Sequence, residues 1–109
     1  MGETKSLYAG MIAFHLLREV TIMPRGARLK TEDGKMNLVG PRVRQRRIAL
    51  GLTHDAVCAR VQISTGSRWE IDHRDLWKIE AQRRACTDIE VVELARALEI
   101  DVEWLLEYN

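Results

Sequence analysis

Apolar positions recur every three or four residues through the second half of the chain, and no segment sustains the alternation of a strand. The unit that organises the rest spans residues 72–80, Asp-His-Arg-Asp-Leu-Trp-Lys-Ile-Glu. Read as a helix, it places Leu76 and Ile79 three apart on one face, with Glu80 at their border. His73, Arg74, Trp77 and Lys78 then project from the other side. Asp72 suits the N-cap, because its carboxylate accepts a hydrogen bond from a free amide of the first turn. A narrow apolar seam backed by donors and one aromatic is a shape the major groove of DNA accepts. Many surface helices share it, so the surrounding elements carry the argument.

Gly40-Pro41 opens an earlier helix, with proline in the first turn, where a missing amide costs little. Val43, Arg47 and Ile48 follow at helical spacing, and Gly51 marks the C-terminal end. Thr53 caps a second helix, expected to turn Ala56, Val57 and Val61 inward and Arg60 outward. Ser64, Thr65, Gly66 and Ser67 make residues 62–71 read as a loop. Beyond the central helix, residues 82–86 form a basic turn. Thr87-Asp88-Ile89-Glu90 then has the pattern of a capping box. The helix it starts is expected to bury Ile89, Val92, Leu94, Ala95 and Leu98. Glu99-Ile100 turns the chain, and Asp101 caps a final short helix from Val102. The expectation is an all-α domain of five short helices over residues 38–109.

Residues 1–37 read differently, as an N-terminal extension or linker. Residues 7–17 have the apolar content of a short helix, interrupted by Gly10. They fall short of the ~20 residues needed to span a bilayer. As a signal peptide they are poor, since Arg18-Glu19 follows where a small-residue cleavage site belongs. Pro24, Gly26 and Gly34 punctuate the remainder. The segment reads either as a disordered tail or as a basic arm (Arg25, Arg28, Lys30, Lys35) able to track phosphates.

The formal charge of +1 conceals a division along the chain. Residues 40–84 carry ten Arg/Lys against five Asp/Glu, or +5, whereas residues 85–109 carry Arg96 against seven acids, or −6. A basic half followed by an acidic one suggests a face for a polyanion, with a merely solvated surface as the alternative. Cys58 and Cys86 lie 28 apart with no Cys-x-x-Cys pair, which fits reduced thiols in a cytoplasm. The histidines His15, His54 and His73 have no metal-ligand spacing. Neither a nucleophile–base arrangement nor a glycine-rich phosphate loop is recognisable, so neither an enzyme nor a cofactor is expected.

Three pieces in order resemble the helix-turn-helix domain of phage repressors and Cro, the XRE-like family. They are Val43-Arg44-Gln45-Arg46-Arg47 leading to Gly51-Leu52-Thr53; Leu76-Trp77-Lys78-Ile79-Glu80; and Leu94-Ala95-Arg96-Ala97-Leu98-Glu99-Ile100-Asp101-Val102 followed by Trp104-Leu105-Leu106. The second is similar to the family's Ile-Ser-x-Ile-Glu, the third to its Leu-Ala-x-Ala-Leu-Gly-Val-Ser…Leu-Leu. The resemblance covers residues 38–107 and implies a lambda-repressor-like domain. It departs at residues 62–71, where the family's turn of about four residues is lengthened. It resembles a subgroup with Lys-Ile-Glu-Ala and Thr-Asp-Ile-Glu at these places, in which this loop is long. Cys58 stands where the family usually has alanine, read as a small buried thiol rather than a redox switch. Ala81-Gln82 replaces the usual Asn-Gly, removing one phosphate contact that Arg83 and Arg84 are placed to supply.

On this reading His73, Arg74, Trp77 and Lys78 reach base edges, Arg74 foremost because its fork matches two acceptors of guanine. Trp77 either meets a thymine methyl or packs on Trp69. Thr53 and His54 at a helix start, with Arg83 and Arg84 beyond, are the phosphate contacts. Arg47 and Glu80 stand where the resemblance implies a buried structural pair. The function expected is specific binding of double-stranded DNA by a cytoplasmic transcriptional regulator. One recognition helix reads few base pairs, so a homodimer on two half-sites is expected. No membrane and no small-molecule ligand are expected. The alternative is a protein–protein interaction module that keeps the fold without specific DNA binding.

Overall fold

The computed structural model describes residues 27–107. The short helix read over residues 7–17 lies outside the described residues. Five helices and no strand are present among those described: α1 (Gly40–Ala49), α2 (His54–Ser64), α3 (His73–Glu80), α4 (Asp88–Ala97) and α5 (Val102–Leu105). The fold is therefore all-α, with its elements in the expected order. No helix of the described residues is long and apolar enough to cross a membrane.

Local chemistry sets most of the helix ends. Pro41 occupies the first turn of α1, and Gly51 follows its end at φ +68°, the left-handed conformation that a residue without Cβ adopts at least cost. The Thr53 hydroxyl accepts from the Ala56 amide at 3.1 Å, and Asp72 accepts from the Asp75 amide at 2.9 Å. At α4 the capping box is complete, Thr87 accepting from Glu90 N at 3.2 Å and Glu90 from Thr87 N at 2.9 Å. Asp101 stands at the start of α5 without making a side-chain cap bond.

Inside, α2 packs on α3 and α4 while α1 packs on α3 and α5. Val43, Val57, Val61, Leu76, Ile79, Leu94, Leu98 and Leu105 are fully enclosed. Each such side chain contributes ~1.5–3 kcal/mol by leaving water, so this cluster is the main stabilising term for so small a domain.

Several expectations change. Ile48, which follows Val43 at helical spacing, is 51% exposed, and of the residues expected to be buried in α4, Ile89 is 67% exposed and Val92 only partly buried. In α4 the buried row is Val91, Leu94, Ala95 and Leu98, a strict i, i+3, i+4, i+7 set that leaves Ile89 outside its arc. Arg60 does not simply point outward: its guanidinium donates to the Ala97 carbonyl at 3.1 Å, covering the last turn of α4. Finally, α2 continues through Ser64, so the connection to α3 is shorter than the expected loop at residues 62–71. Thr65 closes that helix, its hydroxyl donating to the Val61 carbonyl at 2.8 Å.

Order also extends ahead of Leu38. Asn37 is buried, and its side-chain amide donates to the carbonyls of Ile79 (3.1 Å) and Arg84 (2.9 Å). Its Oδ1 accepts from the Gly40 amide at 2.9 Å. One asparagine thus caps α1 and ties it to the end of α3. An asparagine three residues before Gly40-Pro41 is the sequence signal for this cap. Gln82 adds a second tie, donating from Nε2 to the Asn37 carbonyl at 2.9 Å. It holds φ at 59° after the last turn of α3, a conformation a glycine would take more cheaply. Its side chain offsets that cost with a bond glycine lacks.

Gly40 lies where these two chains meet. A Cβ there would collide with the Ile79 carbonyl oxygen and approach the Glu80 carbonyl to 2.8 Å. An alanine at an ordinary helix position would stabilise. Here Gly40→Ala is expected to cost ~1–3 kcal/mol or more, because backbone must move. Chemical denaturation checks the sign.

Candidate nucleic-acid interface

The central helix α3 divides cleanly. Leu76 and Ile79 are fully enclosed and Glu80 is 8% exposed, while His73, Arg74, Trp77 and Lys78 all stand exposed on the outer face. The Asp75 amide bonded to Asp72 pulls that carboxyl below the usual aspartate range and keeps the cap charged at neutral pH. Trp77 is half exposed, with the Arg83 guanidinium over its ring at 5.3 Å from the centroid. Trp69 packs instead against the core, so the Trp77 ring is covered by a cation rather than by a second indole. Arg83 and Trp77 thereby form one continuous patch in which charge sits over an aromatic face. His73 Nδ1 lies 3.9 Å from Asp55 Oδ1 across to the first turn of α2, with both side chains largely solvated.

Behind this face lies a buried, bidentate ion pair. Arg47 of α1 meets Glu80 of α3 through both arms of its fork, Nε to Oε2 at 2.8 Å and Nη2 to Oε1 at 3.0 Å. Its remaining nitrogen, Nη1, donates to the Leu52 carbonyl at 3.0 Å. The side chains are 11% and 5% exposed. The bonded carboxylate raises the Arg47 guanidinium above its ordinary range, against the opposing effect of burial. His54 joins them, Nε2 lying 3.2 Å from Glu80 Oε1. One carboxylate therefore collects groups from the end of α1 and the start of α2 and fixes both to the last turn of α3.

The residues assigned to phosphates are distributed unevenly. Thr53 is exposed, and its oxygen serves the α2 cap, which leaves its hydroxyl proton free to donate. His54 is drawn toward Glu80 but remains a third exposed. Arg83 is exposed, whereas Arg84 is engaged with Glu90 at 2.9 Å and is only 29% exposed. Arg44 was not among the expected residues, yet it shares an open cleft with Arg47, His54, Trp77, Glu80 and Ala81. The other arginines of α1 have structural partners: Arg42 stacks on Trp104 and pairs with Glu107, and Arg46 donates to the Leu98 carbonyl. Arg44 makes no ion pair among the described residues and is exposed. Helical phase was the available signal, since Arg44 lies one residue off the inward Val43 on a basic run.

Neither thiol is primed for chemistry. Burial pushes Cys58 up to about 11, with Asp55 adding to it, and burial pushes Cys86 up to about 12. Both stay protonated at neutral pH and are poor nucleophiles. Alkylation by iodoacetamide at pH 7.5 is expected to be far slower for the native protein than for the protein in denaturant, read by mass spectrometry.

The buried pair makes its own prediction. Removing one partner leaves the other charge desolvated, so Glu80→Ala is expected to lose ~3–5 kcal/mol of stability. Arg47→Met combined with Glu80→Leu should recover much of that loss, because neither charge is then stranded. Chemical denaturation of single and double variants decides the matter: additive losses would show that the two groups do not act as a unit.

What this surface offers is a set of donors and cations around one exposed helix face, held from behind by a buried ion pair. No protein-family model, no curated protein and no solved structure matches the chain.

Proposed function

We propose that the protein binds specific double-stranded DNA sites and acts in the cytoplasm as a transcriptional regulator, as a dimer on two half-sites. The observation that supports this most is the outer face of α3. His73, Arg74, Trp77 and Lys78 are exposed together on a helix whose inner face is clamped by Leu76, Ile79 and the Arg47–Glu80 pair. Sequence readout needs such a face, because a fork that drifts cannot discriminate base edges. Arg74 pairs with guanine, Lys78 with a base or phosphate one turn on, and His73 with an acceptor. Trp77 presents its exposed edge to the groove. Arg44 and His54 share a cleft with Trp77, and Arg83 lies over the same ring; together with Thr53 they hold phosphates and set the register. The helix-turn-helix resemblance of residues 38–107 adds to this reading.

The test is selection of bound sequences from a random DNA pool with the purified protein. Enrichment of a palindrome with half-sites about one helical turn apart is the expected outcome. A pool that stays random would end the proposal. Arg74→Ala is expected to lose ~1–3 kcal/mol of discrimination at one base position. Arg83→Ala should weaken all sequences about equally and flatten the salt dependence by about 0.9 in log–log slope. Identical sequence profiles and slopes for the two variants would show that base and phosphate contacts have been wrongly sorted.

A further inference from the structure

The acidic half of the domain carries a surface that DNA binding leaves unused. Val92 on α4 and Ile100 and Val102 at the start of α5 line an open groove together with Arg96. Ile89 lies one turn before Val92 on the same face of α4 and is 67% exposed, so it prolongs the apolar floor. Helix α4 has therefore spent its inner row on the core and still presents a second, outer apolar row. Glu99 and Asp101 line the groove, Asp88 lies one turn before Val92 on α4, and Glu103 follows Val102. Asp88, Glu99, Asp101 and Glu103 are all exposed and make no ion pair among the described residues. The neighbouring acids are already neutralised: Glu90 by Arg84, Glu107 by Arg42, and the buried Glu93 by Arg96 at 3.2 Å. Arg96 reaches Glu93 while staying exposed at the groove, so the groove offers a partner an apolar floor and a rim on which four unpaired carboxylates outnumber one arginine.

We propose that this groove docks an amphipathic helix of another protein, with aliphatic side chains along one face and Lys or Arg on its flanks. Charge selects this occupant over a second copy of the chain. A two-fold contact through the same face would set one acidic rim against the other, and residues 85–109 carry −6. A basic helix meets the opposite condition, placing cations over carboxylates while its apolar row covers Ile89 and Val92. The proposal goes beyond DNA binding and does not depend on it.

The experiment titrates the isotope-labelled full chain, without DNA, with a 14-residue peptide of Leu and Lys patterned as an amphipathic helix. Amide shifts are expected at Ile89, Val92, Ile100 and Val102. Ile89→Asp should weaken binding at least tenfold, and so should Glu99→Lys combined with Glu103→Lys. Both variants change exposed side chains, so an unaltered melting temperature is the check that the fold survives. Equal binding of a scrambled Leu/Lys peptide would reduce the effect to net charge and overturn the proposal. Equal binding of a Leu/Glu peptide of the same pattern would overturn it as well. So would sedimentation showing a wild-type dimer that Ile89→Asp converts to a monomer, since the groove would then join two copies. Selection from random DNA with the same variants reads the other face independently.

Discussion

Glu80 sits at the end of the exposed helix with its side chain 5% exposed, in surroundings that no free carboxylate tolerates. Arg47 makes the position possible by donating to both carboxylate oxygens, and its third nitrogen donates to the Leu52 carbonyl. Because the two residues come from α1 and α3, their pairing fixes how those helices meet. His54 extends the arrangement to the first turn of α2. The inner face of α3 is bound to both neighbouring helices at once, which fixes the direction in which its exposed face points. Bidentate geometry matters here more than net energy, since a buried pair stabilises little relative to an apolar substitute yet admits only one alignment.

A second set of contacts holds the other side of the same helix end. Asn37 and Gln82 exchange side-chain bonds with backbone, and Gly40 lets the start of α1 approach the Ile79 and Glu80 carbonyls. Polar ties at this junction cost little because each one satisfies a backbone group that a helix end would otherwise leave open. The last turn of α3 is thus gripped by Arg47 on one side and Asn37 on the other. On the outer face Arg74 and Lys78 are exposed and make no ion pair among the described residues. That contrast of fixed base and open tips is what recognition of an extended polyanion demands, and it supports the DNA reading over one based on charge alone.

Charge also separates the two ends of the domain. Basic residues cluster on α1, α3 and the turn after it, and the acids on α4 and α5. Several internal bridges, Arg84 to Glu90 and Arg42 to Glu107 among them, cross the boundary and cancel locally. What remains after those bridges is a positive surface around α3 and a negative rim around the groove at α5. Opposite fields on one small domain allow two partners of opposite charge to be held without competing.

Local sequence was enough for the helix inventory. Pro41, Gly51, Thr53, Asp72 and the Thr87–Glu90 box act within one turn of themselves, so the ends they specify needed no tertiary information. The inner seam of α3 was legible for the same reason, being a spacing of three within one helix. Tertiary packing decided what periodicity left ambiguous. Whether Ile89 or Val91 turns inward depends on the rotation of α4 against α2, and the interior row fell to Val91. The engagement of Arg84 by Glu90, the draw of His54 toward Glu80, and the isolation of Arg44 depend on which helices lie within reach. Asn37 shows the limit most clearly. Its cap on Gly40 is local, but its bonds to Ile79 and Arg84 span more than forty residues, and only the folded chain brings those carbonyls to its amide.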